Sequence, residues 1–432
     1  MAITVSAYTV YWYDKSVTPT AGYGMAGRIV DAGISVSTAP GMKKVGLNGD
    51  PKVEGFIDAK SNLRVAVTDR VAGQQQPVFI HNAADGSQVS QQAWPEENLY
   101  TLVKLGDFLY AIDYDNAKVI EIDATTYAAT GVSYTLENKF IPSGYQACGQ
   151  ALIVIDDRLY GLFAFPDGSW SAYAPSLLVR FTIVPKASIM VTDTQAETGY
   201  NRNIAPNAFS FAVNGSNLYI AAIGGRQTTA GYNADSRLQK IAYGATKLAN
   251  ETVYDVLTPN ATDLPYDIRD ISFKGSTAYV LVGTYQLGPT PSDPWPMTGK
   301  LVATTDFIIG NFTVIDDFRA GVLGYYWSAQ YTPDNNRLWY TRGNEIRIYN
   351  ATSLALFATL TVKGSLIASG DQYTDINDLT YVGPAGTAKL SGYRSPLQRS
   401  NTPFAQAARA IAQGRPELTE EEFQQLQAQI GR

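Results

Sequence analysis

The chain has 432 residues, a formal charge of −6, 45% hydrophobic residues and 17% charged ones, the last well below the usual share of about 25%. That balance excludes the concentrated basic surface a nucleic-acid partner needs. One cysteine, Cys148, excludes an intrachain disulfide, and no apolar run is long enough for a membrane-spanning helix.

The N-terminal stretches "ITVSAYTVYWY" and "GRIVDAGISVST" are β-rich. The start "MAITVSAYTVYWYD" has neither the basic n-region nor the long apolar stretch of an export signal. Six later segments then align on a turn dipeptide followed by an aliphatic residue: "KSNLRVAV", "GDFLYAID", "DDRLYGLF", "GSNLYIAA", "GSTAYVLV" and "NNRLWYTR". The aligned residues are Leu63, Leu109, Leu159, Leu218, Ala278 and Leu338, at intervals of 46, 50, 59, 60 and 60. A near-regular period of this size is the signature of a repeated four-stranded unit.

The second unit shows the anatomy. Strands are predicted over Leu99 to Val103, Leu109 to Asp113, Val119 to Ile122 and Thr130 to Thr135, with Gly106-Asp107 and Asp115-Asn116 turning the chain between them. A four-stranded antiparallel meander repeated radially is a β-propeller blade. "LYAIDYDNAKVIEIDATTY" also resembles the repeats of YVTN-type and quinoprotein-like propellers, in which a strand, an Asp/Asn turn and a strand recur in this order. The resemblance implies a fold and names no active site.

One short phrase is written twice. "YDIRDISF" at 266 to 273 returns as "TDINDLTY" at 374 to 381, each reading Asp-Ile-x-Asp-aliphatic-hydroxyl-aromatic. Each is predicted to be the inner strand of a blade, the fifth and a seventh. Repeat-like sequence ends near Leu390, so the missing strands of a seventh blade are expected from the N-terminus, which leaves no open sheet edge. The expected architecture is an all-β propeller over residues 1–395, seven-bladed, its last blade closed by strands within residues 1–40; six blades with extra edge strands is the reserve.

Residues 396–432 read differently. Thr402 and Pro403 start a helix whose Phe404, Ala407, Ala408 and Ile411 share one face. Thr419 and Glu422 form a capping box ahead of a second helix with Phe423, Leu426 and Ile430 along a narrow seam. Phe404, Ile411, Phe423, Leu426 and Ile430 are therefore the residues expected either to pack back on the propeller or to dock a partner or a sister subunit.

Catalytic candidates are few. His81 is the sole histidine and sits in a predicted third strand, where a satisfied structural role is expected. Cys148 reads as a small core residue, and no histidine-based or EF-hand-like metal site is visible, so neither metal nor cofactor is expected. The adjacent pairs Asp156-Asp157 and Asp316-Asp317 do not form acid–base pairs, because one is a turn and strand neighbours face opposite ways. Position is more informative. The loops joining second and third strands are long in three consecutive units, "FPDGSWSAYAPS", "GGRQTTAGYNADS" and "GTYQLGPTPSDPWPMTGK". They carry Trp170, Tyr173, Tyr232, Tyr285 and Trp295, with Asp167, Arg226 and Asp293 as polar company, and Pro289, Pro291, Pro294 and Pro296 stiffen the longest. Aromatics in stiff loops are what protein hot spots and sugar-stacking platforms use.

The expectation is thus a non-enzymatic propeller that binds protein or glycan within a larger assembly, placed outside the cytoplasm or on a virion. The alternative is a carboxylate-based glycan hydrolase or lyase working at the mouth of the central channel.

Overall fold

The computed structural model describes residues 4–14, 21–31, 36–47, 52–68, 77–94, 99–168, 172–225, 232–285, 296–323, 328–343, 345–361, 373–383 and 386–389; the expected tail helices lie outside these. The chain is a β-propeller. Six antiparallel blades are each written in consecutive strands, covering Lys52 to Ala93, Leu99 to Thr135, Cys148 to Pro206, Ala208 to Leu257, Asp267 to Leu323 and Ala329 to Thr361. In the second, the strands Leu99–Leu105, Phe108–Asp113, Lys118–Asp123 and Ala129–Thr135 lie within two residues of their expected limits. The third blade departs from the pattern: its long strand Tyr173–Val184 pairs along one half with Ser188–Val191 and along the other with Tyr200–Pro206, making five strands.

The blades written consecutively number six, the reserve count. The closing sheet is of a different make, five-stranded and drawn from both ends of the chain. There Thr4–Asp14 pairs with Ala21–Asp31 on one side and with Tyr373–Gly383 on the other. Two polar ties hold this sheet between the sixth blade and the first. Asp31 makes an ion pair with Arg337 of the sixth at 3.5 Å, and the Arg28 guanidinium donates to the Ala84 carbonyl of the first at 2.5 Å.

The aligned repeat residue opens the second strand of every consecutive blade. Leu109, Leu159, Leu218, Ala278 and Leu338 are fully buried between blade faces, which is why an aliphatic residue recurs there. Close approach of the blades is also built in. Where the second and third meet, a Cβ on Gly149 would stand 2.5 Å from the Ile112 side chain.

The twice-written phrase marks a backbone feature. In five sheets the inner strand slips by one residue near its start: between Leu99 and Thr101, Gly149 and Ala151, Ala208 and Ser210, Ile268 and Asp270, and, in the closing sheet, across Asn377. Arg269 and Asn377, the variable residues of Asp-Ile-x-Asp, are the extra residues of two such β-bulges. A bulge bends the strand and re-aims the residues beside it. Here the bulges ring the channel entrance on the face where the blade-to-blade connections arrive.

Candidate functional site

The three long hairpins expected to share a rim rise from the third, fourth and fifth blades, and their roots are tied together. The Tyr173 amide donates to the Gly225 carbonyl at 2.8 Å, joining the third blade to the fourth. Gly225 in turn donates to the Asp235 carboxylate at 2.9 Å. The fourth blade is joined to the fifth by Asn233, whose backbone and side-chain N–H groups donate to the two Asp267 oxygens at 2.6 and 3.3 Å. Arg269, the bulge residue, completes the chain: Nη2 donates to Asp267 at 3.0 Å and Nε to the Gly283 carbonyl at 2.8 Å, at the foot of the longest hairpin.

Asp267 and Arg269 are each only 3% exposed. Burial raises the Asp267 carboxyl above its ordinary range and nearby Asp235 adds to this, against the pull of Arg269 and Asn233. With its oxygens committed to Asn233 and Arg269, this carboxyl positions loops.

Gly224 holds the bend beneath the fourth-blade hairpin. Its φ of +114° lies where L side chains rarely go, and an added Cβ would stand 2.5 Å from the Asn233 Cβ. Gly224→Ala is expected to cost about 1–3 kcal/mol and to displace Asn233 from Asp267, measured as a lower denaturation midpoint. An unchanged midpoint would mean that the bend tolerates a side chain.

Several expected rim residues fall short of the loops. Tyr173 begins the strand Tyr173–Val184, and Tyr285 ends the strand Thr277–Tyr285. Both hairpins are laddered further up than loop composition suggested, with Tyr173 paired to Pro166 and Tyr285 to Met297. Asp167 and Tyr232 are half-buried at the hairpin bases. Trp170, Arg226, Asp293 and Trp295 lie outside the described residues, as do Phe404, Ile411, Phe423, Leu426 and Ile430 of the tail.

Other buried carboxyls serve as ties between blades. Asp270, fully buried, accepts from Ser210 of the fourth blade at 2.6 Å and from the Ala329 amide of the sixth at 2.8 Å. Glu121 of the second blade accepts from Tyr110 at 2.9 Å and from the Lys186 amide of the third at 3.0 Å. Asp316 of the fifth accepts from Arg347 of the sixth at 2.9 Å and from Tyr340. Its neighbour Asp317 faces Lys300 instead, and Asp156 and Asp157 form a turn with positive φ, so neither adjacent pair is an acid–base pair.

Asp58 of the first blade accepts from Tyr127 of the second at 2.9 Å and from Arg64 at 3.1 Å. Burial pushes its carboxyl up, but hydrogen bonds from Asn62 and Tyr127 and the charge of Arg64 outweigh this and hold it below the ordinary range. A depressed folded-state value contributes stability above the unfolded value of about 4 that is lost as pH falls through the folded one. Asp58→Asn should therefore lower stability at pH 7 by about 1–3 kcal/mol and by less in acid, as followed by urea denaturation across pH. A deficit that does not shrink on acidification would reject the assignment.

His81 lies in the third strand of the first blade, 1% exposed, with Nδ1 2.9 Å from the Gly86 carbonyl oxygen. Cys148 is a free, buried thiol at the start of an inner strand. Among the described residues no group of three His, Cys, Asp or Glu side chains is placed to hold a metal ion.

No family model matches the sequence, and no curated protein matches it. Solved structures do. A provisionally assigned 6-phosphogluconolactonase of Bacteroides fragilis superposes with a TM-score of 0.53 at 11% identity, over 88% of this chain and 98% of its own. A periplasmic gluconolactonase of Pseudomonas aeruginosa gives 0.48 at 11% identity, over 87% and 99%. The β-propeller domain of the Trilobed protease of Pyrococcus furiosus gives 0.41 at 6%, over 87% and 95%. At such identities the likeness establishes the propeller fold and carries no chemistry.

Proposed function

We propose that this propeller is a non-enzymatic binding and structural protein whose rim over the third to fifth blades contacts a protein or a glycan within a larger extracytoplasmic or virion-like assembly. One observation carries the reading: three neighbouring hairpins are fixed at their roots by a single hydrogen-bonded chain from Tyr173 to Gly283, in which even the buried Asp267 and Arg269 serve to hold loops. A rigid base beneath aromatic loop tips lowers the entropy lost on binding. Trp170→Ala and Trp295→Ala are each expected to weaken partner binding by about 2 kcal/mol, roughly thirtyfold, while leaving the fold intact. Glycan-array and pull-down signals unchanged in both variants would remove the rim assignment. The tail enters as a docking device: light scattering is expected to show the full chain associating and a chain ending at Ser395 remaining monomeric.

A second reading, a carboxylate enzyme at the channel mouth, is favoured by the buried Asp267 carboxyl raised by its surroundings. The lactonase descriptions of structural neighbours make gluconolactone the first substrate to try. Turnover abolished by Asp267→Asn would support this reading over the first.

A further inference from the structure

We infer that the channel mouth beside the fifth blade is a binding site for a neutral polyhydroxylated ligand, a sugar or polyol. Three buried polar atoms there have no hydrogen-bond partner: Asn233 Oδ1, Ser328 Oγ and Gln330 Oε1. Their residues are 4%, 5% and 2% exposed. A buried, unpartnered polar atom costs about 1–3 kcal/mol, and three around one feature ask for a common reason.

The feature is the bulge at Arg269. Asn233 flanks it from the fourth blade, its amide fixed by donating Nδ2 to Asp267, which leaves Oδ1 as the free acceptor. On the other side the sixth blade's inner strand runs alongside, with the Ala329 amide donating to Asp270 and the Tyr331 amide to Ser272 at 2.6 Å. That register sets Ser328 beside Arg269 and Gln330 one residue further in.

The chemistry of the unfilled positions selects the ligand. Two are amide carbonyl oxygens, which only accept, and the third is a hydroxyl, which does either. They call for several donors on one small molecule, which vicinal hydroxyl groups supply. A cation is disfavoured: the Asp267 carboxylate is already paired with the Arg269 guanidinium, and the Asp270 carboxyl is engaged by Ser210 and Ala329. The site is separate from the hairpin tips, so it stands whether or not those bind a partner.

The test is saturation-transfer NMR on the full chain with D-glucose and with myo-inositol, repeated on Ser328→Ala, on Ser328→Ala/Gln330→Met and on Trp170→Ala/Trp295→Ala. Transfer to at least one probe is expected, at least about tenfold weaker binding in the double mouth variant, and no change in the tryptophan variant. Because the replaced oxygens are unpartnered, both mouth variants should melt no lower than the parent. Absence of transfer from either probe, equal transfer to the parent and the mouth variants, or a stabilising response to calcium chloride with none to the polyols would each overturn the inference. So would a large drop in melting temperature for Ser328→Ala, since it would show that the oxygen is bonded within the fold.

Discussion

Asp270→Ala is expected to lower the stability of the folded chain by about 3–5 kcal/mol, among the largest effects of any single substitution. Asp270 is 0% exposed and directly follows the bulge. Its carboxyl accepts from Ser210 Oγ at 2.6 Å, from its own neighbour Ile271 N at 2.9 Å and from Ala329 N at 2.8 Å, so one side chain fastens three consecutive blades at their inner strands. Truncation strands these donors in a dry interface and leaves a cavity. Asp270→Asn keeps the shape but turns one acceptor into a donor facing donors, so an intermediate loss of about 1–3 kcal/mol is expected. Urea denaturation of both variants decides the matter; a loss under about 1 kcal/mol for the alanine would mean that the blades are held by apolar packing alone.

The repeat was readable because its cause is local. Leu109, Leu159, Leu218, Ala278 and Leu338 follow tight turns and are buried in every copy, so turn chemistry and burial recur together at a fixed spacing. The Asp-Ile-x-Asp phrase was equally visible, and its placement on inner strands followed from the same period. Its purpose was not. The partners of Asp270 lie 60 residues before it and 59 after it, and only the ring brings them together. The same holds for Asn233 and Asp267, whose contact defines the root of the rim. The extra pairing of Tyr200–Pro206 in the third blade has a related origin. Its sequence alternates poorly, and its ladder comes from a neighbouring strand that is long enough to hold two partners. Tyr173 and Tyr285 read as loop residues because Pro, Gly and Ser surround them, yet cross-strand pairing extends both hairpins past that composition.

Ring closure gives the other large prediction, and it rests on backbone alone. Thr4–Asp14 is flanked on both sides, with Tyr8 opposite Gly27 in one neighbour and opposite Leu379 in the other. Every amide of such a strand has a ladder to serve, so proline is excluded from it, whereas an edge strand tolerates proline where its register is broken. The chain already follows this rule: Pro40 lies in the edge strand Val36–Leu47, within the register shift opposite Ala26 to Arg28. Tyr8→Pro should therefore cost about 3 kcal/mol or more and separate the N-terminal strands from Tyr373–Gly383. The damage extends past one ladder, because the closing sheet is what joins the sixth blade to the first through Asp31–Arg337 and Arg28–Ala84. An opened ring presents unpaired strand edges, so the variant is expected to aggregate as well as to melt early. Size-exclusion chromatography beside thermal melting separates the outcomes. Early melting with a monomeric profile would place the loss within the closing sheet, and a variant matching the parent in both would show that the propeller holds together without its N-terminal strands.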